Sequence, residues 1–311
     1  EVFRRFSSLR AALVAMTVAP FFLIPLLNWI DPLGDWQTVE AAKFLVLFGN
    51  GHVAATYYFY LDKDAASFRR GRPWTFLILP LGFLIGLSAI TFAYPKDTFV
   101  PLFSVHAFIL FYHYQRQNLG VIALVNGVLS AKSKKTLNVL LLLPVIPAAV
   151  IWASRLDDNL LGDLAATGLP RSLIIAQIAV SVVFLFRTRK EQSLQGAVVT
   201  ALGLNFFAPF FIMPDNILVA FLVFALTHGA QYLVIMGFVS AGSGQARHAS
   251  LIVFCILLGI LLLDRAAFGV VMAFTWTHFL IDARIWKMRN TDARRYIMPR
   301  IGRFLSPTRT S

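Results

Sequence analysis

The chain has 311 residues, of which 58% are hydrophobic and 14% charged, with a formal net charge of +13. A soluble domain carries about a quarter charged residues, and no run of long alternating strands marks a β-barrel, so the composition points to a polytopic helical membrane protein. The basic residues lie between and after the apolar blocks, which fits topology and anionic lipid headgroups and excludes a nucleic-acid partner.

Taken in chain order, the apolar blocks predict ten spans, over 11–30, 38–61, 73–94, 98–118, 137–154, 170–187, 194–213, 216–239, 249–264 and 266–286. Each is long enough for a bilayer core of about 30 Å. The fold class is therefore all-α, a transmembrane helix bundle, with residues 1–289 as one helical domain and 290–311 as a basic cytoplasmic tail. Pro80 and Pro209 interrupt the third and seventh spans, which membrane helices tolerate where neighbours satisfy the freed carbonyls. Cys255 is the single cysteine, so no internal disulfide forms.

The connections alternate in charge. DPLGDWQTVE is acidic and DKDAASFRRGR basic; AKSKK is basic, SRLDDNLLGDLAATGLPR mostly acidic, and RTRKEQ basic again. YPKD and LDRAAFG are near balanced, PD carries only an acid, SAGSGQARH holds Arg247, and the tail from Arg284 is strongly basic. Ten spans put every more basic loop on the N-terminal side, so the positive-inside rule places both termini in the cytoplasm. The tail mixes arginines with Tyr, Ile, Met, Phe and Leu, a composition that suits the inner membrane surface.

In the fourth span, SVHAFILFYHYQRQNLG places His106, His113 and Gln117 seven and four residues apart, one stripe of a helix. Five of the six histidines fall in spans, all even-numbered: His52, His106, His113, His228 and His278. His52, His113, His228 and His278 each lie about 12–15 residues past the outer end of their span, roughly 18–22 Å deep. Asp282 follows His278 by four residues, Gln231 follows His228 by three and Thr56 follows His52 by four. The small residues Gly49, Gly51, Gly120, Gly229 and Ala230 would let these helices approach closely.

Polar groups at such depth are costly without an occupant or partner. Imidazole with one carboxylate suits first-row transition metals. There is no HExxH, no nucleophile motif and no phosphate loop, which favours non-haem iron chemistry on a lipid-soluble substrate over hydrolysis. In this reading His52, His113, His228, His278 and Asp282 hold the metal. Asp282, Gln117 and His106 act at the site, with Asp282 as ligand or orienter of His278 and the other two lining the approach. Two readings compete with it: a proton-coupled transporter using the histidines as a relay, and a haem-bearing electron-transfer subunit of a membrane complex, haem or another transition metal replacing the iron.

The windows GHVAATYYFYLD around His52 and THGAQYL around His228 resemble the Brp/Blh-type bacterial carotene dioxygenases. That resemblance implies histidine-ligated non-haem iron and an isoprenoid substrate. The expected location is a bacterial inner membrane, with lipids, the lipid-soluble substrate and membrane-complex subunits as expected partners. The family's paired histidine in the second window is replaced by Gln231 and Tyr232.

Overall fold

The computed structural model describes residues 8–30, 46–94, 99–126, 129–154, 166–213, 216–263, 268–288 and 290–305. Among the described residues every regular element is helical. In chain order these are α1 (Ser8–Ile30), α2 (Gly51–Ala55), α3 (Tyr58–Leu61), α4 (Ala66–Arg70), α5 (Leu79–Ala93), α6 (Phe99–Asn126), α7 (Ala131–Leu142) and α8 (Val145–Ala153). They continue with α9 (Leu169–Thr188), α10 (Leu194–Leu204), α11 (Pro209–Ile212), α12 (Ile217–Gly242), α13 (Ala246–Leu263), α14 (Phe268–Ile285) and α15 (Thr291–Leu305).

Five stretches among the described residues are long and apolar enough to cross a membrane: Ser8–Trp29, Trp74–Ala93, Ala131–Ala153, Leu169–Thr188 and Val219–Gly242. Their outward side chains are apolar too, as a lipid-facing surface requires: Trp29 is 80% exposed and Phe92 is 90% exposed. These helices mark the chain as a membrane protein. They correspond to the expected spans 11–30, 73–94, 137–154, 170–187 and 216–239, and among the described residues the other five do not reach that length and hydropathy. Polar side chains dilute α6 and α14, the apolar part of 194–213 divides between α10 and the short α11, and 38–61 is broken around α2 and α3. DPLGDWQTVE, YPKD after its Tyr94, PD, most of SRLDDNLLGDLAATGLPR, the DRAA of LDRAAFG and the last six residues of the tail lie outside the described residues.

The chain forms two compact units, one of residues 1–12, 39–98 and 229–311, the other of residues 13–38 and 99–228. In the first unit α5 packs along α14, and α2 packs against α13. A wide π-turn, Val46–Asn50, leads into α2, an irregularity that concentrates at functional sites. Gly229 permits close approach there: a Cβ would lie 2.6 Å from the Phe48 carbonyl oxygen. Gly49 and Gly120, by contrast, face nothing within 4 Å.

Over Thr291–Leu305 the basic tail is a docked helix. In α15, Ala293, Ile297 and Ile301 recur every fourth residue and are buried, while Arg294, Arg295 and Arg303 stay outside. Asn290 caps its start, its side-chain oxygen accepting from the Asp292 and Ala293 amides. The Arg303 guanidinium donates to the Ala241 carbonyl at 2.9 Å.

In the second unit α6 packs against α8 and α10, with α9 against both of those. Its core is aromatic: Phe111, Phe206, Phe207, Phe210 and Phe224 are all at most 1% exposed, with Phe210 and Phe224 rings 4.7 Å apart. The basic loops before α7 and after α9 meet through one acid. Glu191 accepts from the Ser130 amide at 2.8 Å and the Ser133 hydroxyl at 3.0 Å. Those bonds, the Ser130 amide first, hold its carboxyl below the usual carboxylate range.

The contact between those two loops means that an even number of crossings separates them. Cysteines introduced at the exposed Lys132 and Lys190, in a variant lacking Cys255, should therefore label from one side of the membrane, and a cysteine at Asp158 from the other. Labelling of all three from one face would show that α7, α8 and α9 do not cross.

Candidate metal centre

Within the first unit the sequence-predicted residues His52, His278 and Asp282 come together, all buried. His52 rides on α2 and the other two on one face of α14, four residues apart. The His52 and His278 rings are 4.9 Å apart and nearly perpendicular. Ligand nitrogens of the two lie within 4.8 Å of each other, and His278 Nε2 is 3.8 Å from Asp282 Oδ2.

The hydrogen bonds determine which nitrogen each ring offers. His52 Nδ1 is 2.7 Å from the Phe48 carbonyl oxygen. A carbonyl only accepts, so Nδ1 carries the proton and neutral His52 presents a lone pair at Nε2. His278 is governed by a longer chain. Tyr232 donates its hydroxyl to Asp282 Oδ1 at 2.9 Å. Its single hydrogen is then committed, so the 2.6 Å contact with Thr56 Oγ1 has Thr56 as donor. The Thr56 oxygen in turn accepts from His278 Nδ1 at 2.5 Å. The direction His278 to Thr56 to Tyr232 to Asp282 leaves the His278 lone pair at Nε2. Both histidines therefore present a basic Nε2, and that of His278 faces a buried carboxylate. These partners fix the tautomer in the way that outer groups commonly orient metal-bound imidazoles.

Tyr232 is the residue that sequence reasoning missed, and Thr56, already marked beside His52, gains its role here as the link to His278. A signal existed, since each stands four residues, about one helical turn, beyond a candidate histidine: Thr56 after His52 and Tyr232 after His228.

The second unit gathers the remaining candidates. His113 on α6 and His228 on α12 are buried, with ring centroids 4.9 Å apart, and Tyr114 packs against His228 at 4.3 Å. The Gln117 side-chain amide donates to the His228 backbone carbonyl at 2.9 Å and so ties α6 to α12. His106 lies two turns before His113 on α6, half-buried against Phe103. Phe111 on the same helix joins the phenylalanine core, while in the first unit Tyr57 and Tyr60 stack on each other.

Ligand atoms of Asp62, Asp64 and His248 also lie within 4.8 Å of one another, yet there the protein supplies its own cation. Arg300 Nη2 stands 2.9 Å from Asp62 and 2.8 Å from Asp64. His248 Nδ1 bonds the Tyr58 hydroxyl, and Tyr296 donates to Asp62. Burial pushes the Tyr296 phenol above its ordinary range, so it stays protonated as a donor.

No family model, curated protein or solved structure matches the chain. The geometry thus stands alone: buried histidine and aspartate groups able to hold a metal ion.

Removing Arg300 would leave Asp62 buried and uncompensated. Arg300→Met should therefore cost about 3–5 kcal/mol of stability, read as a lowered unfolding temperature in detergent. Arg303→Met, outside the Asp62 network, should shift it far less. Equal effects would show that docking of α15 and not the ion pair carries the stability.

Proposed function

We propose that the chain is a membrane-embedded metalloenzyme, a non-haem iron oxygenase acting on a lipid or isoprenoid. The supporting observation is the donor set of the first unit. Two neighbouring histidines are held as Nδ1–H tautomers with basic Nε2 nitrogens, and that of His278 faces a buried carboxylate; two histidines and one carboxylate are the ligand composition of non-haem Fe(II) oxygenases. Iron, when bound, supplies O₂ activation beside an unactivated C–H or C=C bond.

The chain's own residues have separate tasks in this reading. His52, His278 and Asp282 bind the metal. Thr56 and Tyr232 keep His278 in the metal-binding tautomer and in one ring orientation. His113 and His228 are the further ligand candidates that the sequence marks, and His106 and Gln117 the candidates for the approach. A substrate already dissolved in the bilayer reaches side chains at this depth most directly, and apolar surroundings limit water at the reacting groups. In this reading the protein sits in a bacterial inner membrane with both termini cytoplasmic, an orientation that the positive-inside rule supports, and has lipids and subunits of a membrane complex as partners.

One observation favours a second reading. The unbroken chain His278–Thr56–Tyr232–Asp282 is also a route for a proton, as a proton-coupled transporter would use. Metal analysis and the absorption spectrum of the purified protein separate the readings: stoichiometric iron without a Soret band supports the oxygenase, a Soret band supports haem, and absence of metal supports transport.

His52→Ala, His278→Ala, His113→Ala and His228→Ala should each lower the iron content, while His248→Ala, which loses the Tyr58 bond, should lower thermal stability yet keep iron per folded chain. Thr56→Val, which removes the acceptor that fixes the His278 tautomer, should weaken metal affinity by about 10–100-fold. Lipid extracts from a carotenoid- and quinone-containing host, grown with and without air, should differ only when the iron-loaded protein is present. The air-dependent product should vanish with Asp282→Ala. An unchanged lipid profile from iron-replete protein would overturn the oxygenase reading.

A further inference from the structure

Where α4 gives way to the Trp74–Ala93 stretch and α12 ends, a cavity of about 670 Å³ opens against α15. Its walls include Ser67, Arg72, Ser243, Asp292, Arg295 and Arg300. We propose that this cavity binds the phosphate of an anionic phospholipid headgroup, a binding site separate from the candidate metal centre.

The volume falls in the range of about 300–1,000 Å³ that small-molecule sites occupy. Its lining is charged and ordered. Three guanidinium groups face two carboxylates, Asp64 and Asp292, so the wall carries an excess of one positive charge. Arg295 makes no ion pair among the described residues and is exposed. The other two are held in place by stacking, Arg72 over the Phe68 ring at 4.1 Å and Arg300 over the Tyr296 ring at 3.9 Å. Arg72 donates from Nη1 to the Phe68 carbonyl and from Nη2 to Asp292. A guanidinium has five N–H donors, so donors remain for a phosphate, whose oxygens match the fork geometry. Ser67 adds a hydroxyl, while the Ser243 hydroxyl is committed to the Ser240 carbonyl.

The cavity wall depends on one close approach. A Cβ on Gly242 would lie 1.8 Å from the Arg300 carbonyl oxygen, so only glycine at the end of α12 lets α15 lie this near.

Sequence continuity puts the cavity at headgroup level, which favours a lipid phosphate over a free one. Arg72 stands two residues before the membrane-length stretch Trp74–Ala93, and Gly242 closes the stretch Val219–Gly242. Trp74 is 65% exposed, at the level where indoles mark the membrane–water boundary.

The test is native mass spectrometry of the full chain released from nanodiscs of equal phosphatidylglycerol and phosphatidylcholine. One phosphatidylglycerol should be retained preferentially. Arg295→Gln should reduce its retention about fivefold, the effect of one arginine near an anionic headgroup. Arg72→Gln should also reduce it, while Arg294→Gln, exposed on the same helix but outside the cavity, should leave it unchanged. Displacement of the lipid by millimolar inorganic phosphate would support phosphate as the recognised group. Equal loss in Arg294→Gln would show diffuse surface charge and overturn the site, as would equal retention of the two lipids. Binding of inorganic phosphate without retention of phosphatidylglycerol would overturn the lipid assignment in favour of a soluble phosphate.

Discussion

A carboxylate buried among apolar helices has to be met by donors, and in the first unit two such carboxylates organise what surrounds them. Asp62 is answered by a guanidinium and a phenol, Arg300 and Tyr296. Asp282 is answered by the Tyr232 phenol and faces an imidazole, His278, at 3.8 Å. The first arrangement neutralises a full charge and pins α15 to the turn after α3. The second leads through hydroxyls into a histidine and sets its tautomer. The same requirement thus produces a structural latch in one place and a candidate ligand set in the other.

The hydrogen-bond chain at Asp282 draws on three separate stretches of sequence: Thr56 just after α2, Tyr232 on α12, and His278 with Asp282 on α14. A site assembled from side chains on separate helices is precise only if those helices cannot slide. Close backbone contact supplies this constraint: Gly229 lets α12 lie against the π-turn that carries Phe48, and the Phe48 carbonyl in turn holds His52. One turn therefore controls both a helix contact and a ring orientation.

The docked α15 changes the meaning of the basic tail. Its arginines do not form one surface. Arg300 is buried, Arg303 binds a carbonyl at the end of α12, and Arg294 and Arg295 remain outside. A helix whose apolar side is covered by protein leaves its charged side for anionic groups at the membrane boundary.

Sequence alone determined the helical membrane class, since apolar blocks of membrane length have few other solutions. It also marked His52, His278 and Asp282, because ionisable residues in such blocks are conspicuous. The break at 46–61 and the docking of α15 were not legible, since apolar periodicity reports which residues avoid water and not what they pack against. Thr56 and Tyr232 look like ordinary polar residues in sequence. Their role arises from donor and acceptor directions across helices 176 and 222 residues apart in the chain. The Asp62–Asp64–His248 group has metal-like ligands in space, but Arg300, more than 230 residues from both aspartates, makes it an ion-paired latch. Tertiary structure decided these points because a hydrogen bond's direction and a charge's counterion depend on which groups meet in space, which spacing along one helix does not contain.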